Sequence, residues 1–176
     1  MKKFFLYGAG LLLLIIVIFA IAAPKTETVK RSIVIQKPVN VVYPYFASLQ
    51  NMEEWSPWAK KDPSARHEYI GAGNSVGSVH AWYSEHEQVG SGEQEITSMV
   101  PNKEIYSELR FKTPMETTSE GFLIFEEQGN KTKVTWGYNA KYGVLESMIM
   151  TFLDLDKIIG KDFEQGLNDA KIILEK

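Results

Sequence analysis

The chain has 176 residues, 44% hydrophobic and 23% charged, which suits one folded domain with a short appendage and argues against a disordered protein. Its formal net charge is −3, and residues 1–23 hold Lys2 and Lys3 but no acid, so the remainder carries −5. A mildly acidic domain lacks the basic face a nucleic acid requires, and the absence of cysteine excludes disulfides, thiol nucleophiles and thiolate-bound metal centres.

Phe4 to Ala23 is an apolar run of twenty residues, preceded by Lys2 and Lys3 and ended by Pro24. At about 1.5 Å per residue, a helix of that run matches the roughly 30 Å hydrocarbon layer. The expectation is a single-pass anchor at residues 1–23 with its N-terminus in the cytoplasm, since basic residues flanking a span favour that side. A cleaved signal peptide is the rival, because Ala20-Ile21-Ala22 fits a small-x-small cleavage pattern; the run is nevertheless longer than the usual apolar core of such peptides. Either reading puts the domain outside the cytoplasm, at the outer face of a bacterial cytoplasmic membrane if anchored, secreted or periplasmic if cleaved.

Residues 24–26 read as a linker and residues 27–176 as the domain. Glu27 to Ile35 alternates, with Val29, Arg31, Ile33 and Ile35 on one face, and predicts a strand. Val39–Ala47 and Asn51–Trp55 predict two short helices, the first kinked or divided at Pro44 and the second closed by Ser56-Pro57. Six strands follow, at Arg66–Ile70, Ser78–Ser84, Val89–Met99, Lys103–Lys112, Glu116–Glu126 and Lys131–Ala140, with turn residues between them. The period then lengthens. Phe152, Leu155, Ile159, Phe163, Leu167, Ala170 and Leu174 predict one long amphipathic helix beginning near Leu145. The fold class is α+β, a curved antiparallel sheet of about seven strands wrapped around that helix. Space left between them is where an apolar ligand could lodge.

Ile33-Val34-Ile35 with Lys37-Pro38-Val39, Asn51 to Trp58 with Asp62-Pro63, Gly90-Ser91-Gly92, Pro101-Asn102, and Asp156 to Gly160 running on to Leu167 stand out along the chain. Together these segments resemble the SRPBCC (START/Bet v 1-like) superfamily, in its polyketide cyclase/dehydrase-like subgroup. The resemblance covers residues 27–176. It implies a helix-grip fold with a hydrophobic cavity beneath the last helix, in a superfamily that includes lipid carriers, hormone and sterol binders and cyclases. Fold alone does not choose between binding and catalysis.

The candidate wall of such a cavity is drawn from several elements. His80 and Trp82 share one strand face, which the resemblance turns inward although local alternation with Val79, Ala81 and Tyr83 supports the opposite face. Leu109 and Phe111, then Phe122, then Trp136 and Tyr138 come from later strands, with Leu123 and Phe125 competing with Phe122 and Ile124 for the inward side. Phe152, Leu155, Ile159 and Phe163 come from the last helix, and Trp58 from beside the Ser56-Pro57 turn. Each could equally be plain core. Trp55 and Trp58 could close a mouth or pin the short helices to the sheet.

His80 is the one candidate acid or base, and an ordinary packed histidine is the bland alternative. His67, His80 and His86 form no metal motif, Glu93 and Glu95 face solvent if Ile96 faces inward, and no nucleophile elbow or phosphate loop is present. No catalytic residue, metal or other cofactor is implied. The expectation is membrane-tethered binding of a hydrophobic small molecule or lipid. The alternatives are a cyclase or dehydratase using His80, and an interaction module with a filled cavity.

Overall fold

The computed structural model describes residues 2–176, with side chains described from Tyr7 onward except Ala9. Helix α1 spans Lys2–Ala22. The side chains of Phe4, Phe5, Leu6 and Ala9, part of the expected span, lie outside the described residues. Among the described residues no helix is long and apolar enough to cross a membrane. The described part of α1 is nonetheless apolar and solvent-facing all round, with Leu11 to Ile18 and Ile21 exposed.

Strand β1 (Thr26–Ile35) begins one residue earlier than the expected domain start and buries Val29 and Ile35 on the predicted face. Helix α2 (Val39–Ala47) runs through Pro44 without dividing. Helix α3 (Met52–Trp55) ends before Ser56-Pro57 as expected, but a further short helix that was not expected, α4 (Pro57–Lys61), follows it. Pro57 there opens a helix, because proline at the first helical position needs no hydrogen-bonded N–H.

The meander comprises β2 (Arg66–Ile70), β3 (Val79–Tyr83), β4 (Ser91–Val100), β5 (Glu104–Thr113), β6 (Thr117–Gln128) and β7 (Lys131–Lys141). All seven strands form one antiparallel sheet in the order β1-β7-β6-β5-β4-β3-β2. Only the β1–β7 pairing joins strands distant in sequence.

The expected single C-terminal helix is two, α5 (Val144–Met150) and α6 (Leu155–Leu174). The break has a local cause. The Asp154 carboxylate accepts a hydrogen bond from the Lys157 backbone N–H and caps a new helix. The apolar period therefore restarts at Leu155, and Phe152 falls out of phase with it.

Helix α6 lies mainly against β1, not over the middle of the sheet. Arg31 Nη1 and Nη2 donate to Asp156 at 2.7 and 2.8 Å, and its Nε donates to Glu164 at 2.9 Å. Lys171 Nζ donates to the Val34 carbonyl at 2.8 Å. These half-exposed pairs contribute little stability but fix where the helix lies. Gly166 allows close approach on the inner side, since a Cβ there would sit 2.8 Å from the Trp136 ring and 3.0 Å from Pro57. The core fills this side of the molecule with Val29, Ile35, Val42, Phe46, Trp55, Phe125, Val134, Phe163, Leu167 and Ala170.

Candidate functional site

Because α6 leans on β1, and α2 reaches only β6 and β7, the inner face of β3 to β5 has little helix packed directly on it. A cavity of about 640 Å³ occupies the gap. The strand register decides which side chains face it. Ile105, Ser107, Leu109 and Phe111 on β5 pair with Leu123, Gly121, Ser119 and Thr117 on β6, all on the inner face. Leu123 pairs in turn with Trp136 of β7.

Eleven of the twelve predicted wall residues border the cavity. His80 and Trp82 come from β3, Leu109 and Phe111 from β5, Trp136 and Tyr138 from β7, Leu155, Ile159 and Phe163 from α6, and Trp58 from α4. Two predictions need correction. Phe122 touches the cavity boundary, but its ring covers Gly137 on the other face of the sheet, where it meets Tyr106 at 6.2 Å. Leu123 and Phe125 hold the inward positions on that strand. Phe152 points away from the cavity, 80% exposed, with its ring 5.7 Å from Phe19 of α1. The helix break at Asp154 turned it outward.

The closed end of the cavity is aromatic. Trp136 stacks on Phe163 with ring centres 4.4 Å apart and meets Trp55 edge-on at 4.7 Å, while Trp58 packs on both Trp136 and Phe163. Trp55 is fully buried, so it pins α3 to the sheet; Trp58 is half-buried in the wall. Trp82, Phe111 and Tyr138 continue the aromatic lining across the sheet, with centres 5.9 and 6.5 Å apart.

Polar groups in the wall are few. Tyr138 donates its hydroxyl proton to Ser119 Oγ at 2.8 Å, and burial holds its phenol above the usual range. Gln94 Nε2 donates to Ser107 Oγ at 3.1 Å. His80 Nε2 lies 2.8 Å from His67 Nδ1, so one ring supplies the proton and the other the lone pair. His80 also stacks on Tyr69 at 4.7 Å, and Tyr69 donates its hydroxyl proton to Glu53. Among the described residues, His80 Nδ1 is buried without a hydrogen-bond partner. Burial, and then the facing His67, push the His80 imidazole down to about 4, so it is neutral at pH 7.

The His67–His80 contact was missed in the sequence. The signal was present in the β2–β3 hairpin, where Tyr69 pairs with His80 and His67 with Trp82. That puts the two histidines on one face as diagonal neighbours. Gln94, Ser107, Met150 and Leu153 also border the cavity without having been singled out. Elsewhere, Glu93 and Glu95 lie on the outer face and pair with Arg110 at 2.6 and 2.8 Å. His86 is exposed in a turn. Among the described residues no cluster of three or more His, Cys, Asp or Glu side chains could hold a metal ion.

Comparison with solved structures places this architecture. The Aha1 protein of Colwellia psychrerythraea, determined as a dimer, superposes with a TM-score of 0.59 at 17% identity, over 85% of this chain and 96% of that one. Protein CV1439 from Chromobacterium violaceum gives 0.61 at 12% identity, over 85% and 97%. The chain shares the fold of these solved structures. DynU16, from the dynemicin biosynthetic locus, shares it with a TM-score of 0.58 at 10% identity, over 85% of this chain and 47% of that one. At these identities the likeness concerns the fold alone. No family model and no curated protein sequence matches the chain.

Proposed function

We propose that this protein binds an apolar small molecule or lipid inside the helix-grip cavity while tethered to a membrane through α1. The cavity carries the reading. Its volume of about 640 Å³ lies within the roughly 300–1,000 Å³ usual for ligand pockets. Its wall is mainly aromatic and aliphatic, with polar groups at His80, Gln94, Ser107 and Tyr138, and with His67, Glu53, Glu87 and Gln88 also bordering it. At roughly 25 cal/mol per Å², covering about 300 Å² of ligand surface would contribute on the order of 7 kcal/mol before the costs of association. The polar groups would orient the ligand rather than hold it.

The tether rests on the apolar run Phe4 to Ala23 and the basic pair before it. Residues 1–23 would be the anchor and residues 27–176 the ligand-binding domain at the outer face of a bacterial cytoplasmic membrane. Displacement of N-phenylnaphthylamine by a panel of lipids, with native mass spectrometry of the purified chain, tests the binding. A protein that emerges empty and takes up neither dye nor lipid would overturn it.

The alternative, a cyclase or dehydratase, draws on the His67–His80 pair. A general base works best with a pKa near the operating pH, and His80, held down to about 4, is a weak one at neutral pH. This favours binding over catalysis. Loss of substrate turnover in a His80→Ala variant that still takes up ligand would favour the enzyme. The third reading, a module with a filled interior, is disfavoured by the open cavity.

A further inference from the structure

The sheet has two ends, and most of the exposed residues that border the cavity cluster at one of them. Register places the β3–β4 loop, the β5–β6 turn, the start of β1 and the end of β7 together, since Ser91 pairs with Thr113, Phe111 with Thr117, Glu120 with Asn139 and Thr26 with Lys141. Val89 and Met115 from the two connections, and Leu153 and Ile158 from the α5–α6 region, border the cavity here. Met115, Leu153 and Ile158 are 58%, 47% and 55% exposed, so apolar side chains lie uncovered on the rim, beside the exposed Glu87 and Gln88 of the β3–β4 loop.

The same end carries α1. The helix leads straight into β1, and Lys25 Nζ donates to the Ala20 carbonyl at 2.8 Å and to Ser147 Oγ of α5 at 3.2 Å. Helix α5 packs against α1, yet Leu145 (72%), Ile149 (55%) and Phe152 (80%) remain exposed. Phe152 extends the apolar surface of α1 through its contact with Phe19. The segment from Val144 to Ile158 therefore has two apolar sides. Met150, Leu153 and Ile158 border the cavity, whereas Leu145 and Phe152 continue the greasy circumference of α1. Exposed apolar surface contiguous with a helix that is apolar all round calls for lipid as its cover.

We propose that the rim of the cavity is seated on the bilayer, with α5 and the residues joining it to α6 lying in the lipid interface, so that the cavity opens to lipid rather than to water. An apolar ligand would then pass between bilayer and cavity beneath α5 without crossing solvent. The bilayer is the occupant because α1 and α5 share one continuous apolar surface. The inference rests on the proposed tether and goes further by fixing which end of the domain faces the membrane.

Because the chain has no cysteine, single labels are straightforward. Leu145→Cys, Phe152→Cys and Met115→Cys would each carry an NBD fluorophore, in the full chain reconstituted into phosphatidylethanolamine/phosphatidylglycerol vesicles containing doxyl-labelled lipid. Asn130→Cys, in the turn at the opposite end, is the control. The expected result is roughly twofold or greater quenching at all three test sites and none at Asn130→Cys. Quenching at Leu145→Cys without quenching at Met115→Cys would overturn the proposal, since proximity to the tether alone would explain it. Quenching equal at all four sites would overturn it too. Uptake of N-phenylnaphthylamine by the unsubstituted, unlabelled chain in mild detergent separates the two readings. No uptake with the expected quenching refutes ligand binding and leaves the seated rim standing, and the converse refutes the seated rim.

Discussion

The two halves of the sheet are built from similar residues and end in different states. Under α6, the β1–β7 half is packed solid, with Val29, Val134, Leu167 and Ala170 at or below 1% exposure. The β3–β6 half offers Leu109, Phe111, Trp82 and Leu123 to a void of about 640 Å³. Hydrophobicity therefore does not distinguish core from pocket here. The distinction comes from where α6 is held, by Arg31 between Asp156 and Glu164 and by the close approach at Gly166.

The largest effect expected from breaking the packed half is at Trp55. Trp55→Ala removes the bulkiest fully buried side chain and should cost about 3–5 kcal/mol in denaturant unfolding, as large-to-small core changes do. A loss of only a few tenths would mean that the packed half is loose.

Next in size is an acid effect in the open half. The folded state holds His80 at about 4, below the unfolded value near 6.5, so the fold favours the neutral imidazole. The associated stability is fully present above pH 6.5 and is lost as pH falls from 6.5 toward 4, by up to about 3 kcal/mol. Unfolding midpoints measured across this window should fall in the wild type and much less in His80→Leu. Parallel pH profiles would refute the assignment.

The two glycines of α6 give a smaller and sharper contrast. In Gly166→Ala the new methyl meets the Trp136 ring, Pro57 and, at 3.3 Å, the Trp55 carbonyl. None of these can yield cheaply, so a loss of about 1–3 kcal/mol is expected. In Gly160→Ala the methyl meets only the far end of the Arg31 side chain, which can swing away. The helix-propensity gain of up to about 1 kcal/mol then offsets the cost. Thermal unfolding of the two variants side by side should separate them, and equal shifts would show that α6 approaches the two sides alike.

The smallest stability effects belong to the cavity wall. Leu109→Ala enlarges an existing void and should cost about 1 kcal/mol, below the usual range for buried leucines. Leu109→Trp fills part of the void. It should leave stability within about 1 kcal/mol while weakening N-phenylnaphthylamine binding roughly tenfold, read by titration. If Leu109→Trp binds as tightly as wild type, the dye occupies some other site.

The strand count, the single sheet and the inward set on β1 were legible because alternation with period two is written locally in the residues. The faces of β6 were not. Phe122-Leu123-Ile124-Phe125 is apolar at every position, and only the pairing of Leu123 with Trp136 and of Phe122 with Gly137 chose between them. Phe152 misled for a related reason, since it fits the α6 spacing until the Asp154 cap restarts the helix. The His67–His80 contact could have been found by pairing the two strands of the β2–β3 hairpin.

The amino-acid order by itself determined the elements, the antiparallel meander, the amphipathic final helix and the apolar N-terminal run, because propensity and periodicity act over neighbouring residues. Only the tertiary structure decided that the final helix sits to one side, that an aromatic-lined space opens beside it, and that its rim shares an end with α1. Those outcomes depend on contacts between residues more than a hundred positions apart, such as Arg31 with Asp156 and Phe19 with Phe152, which no local pattern encodes.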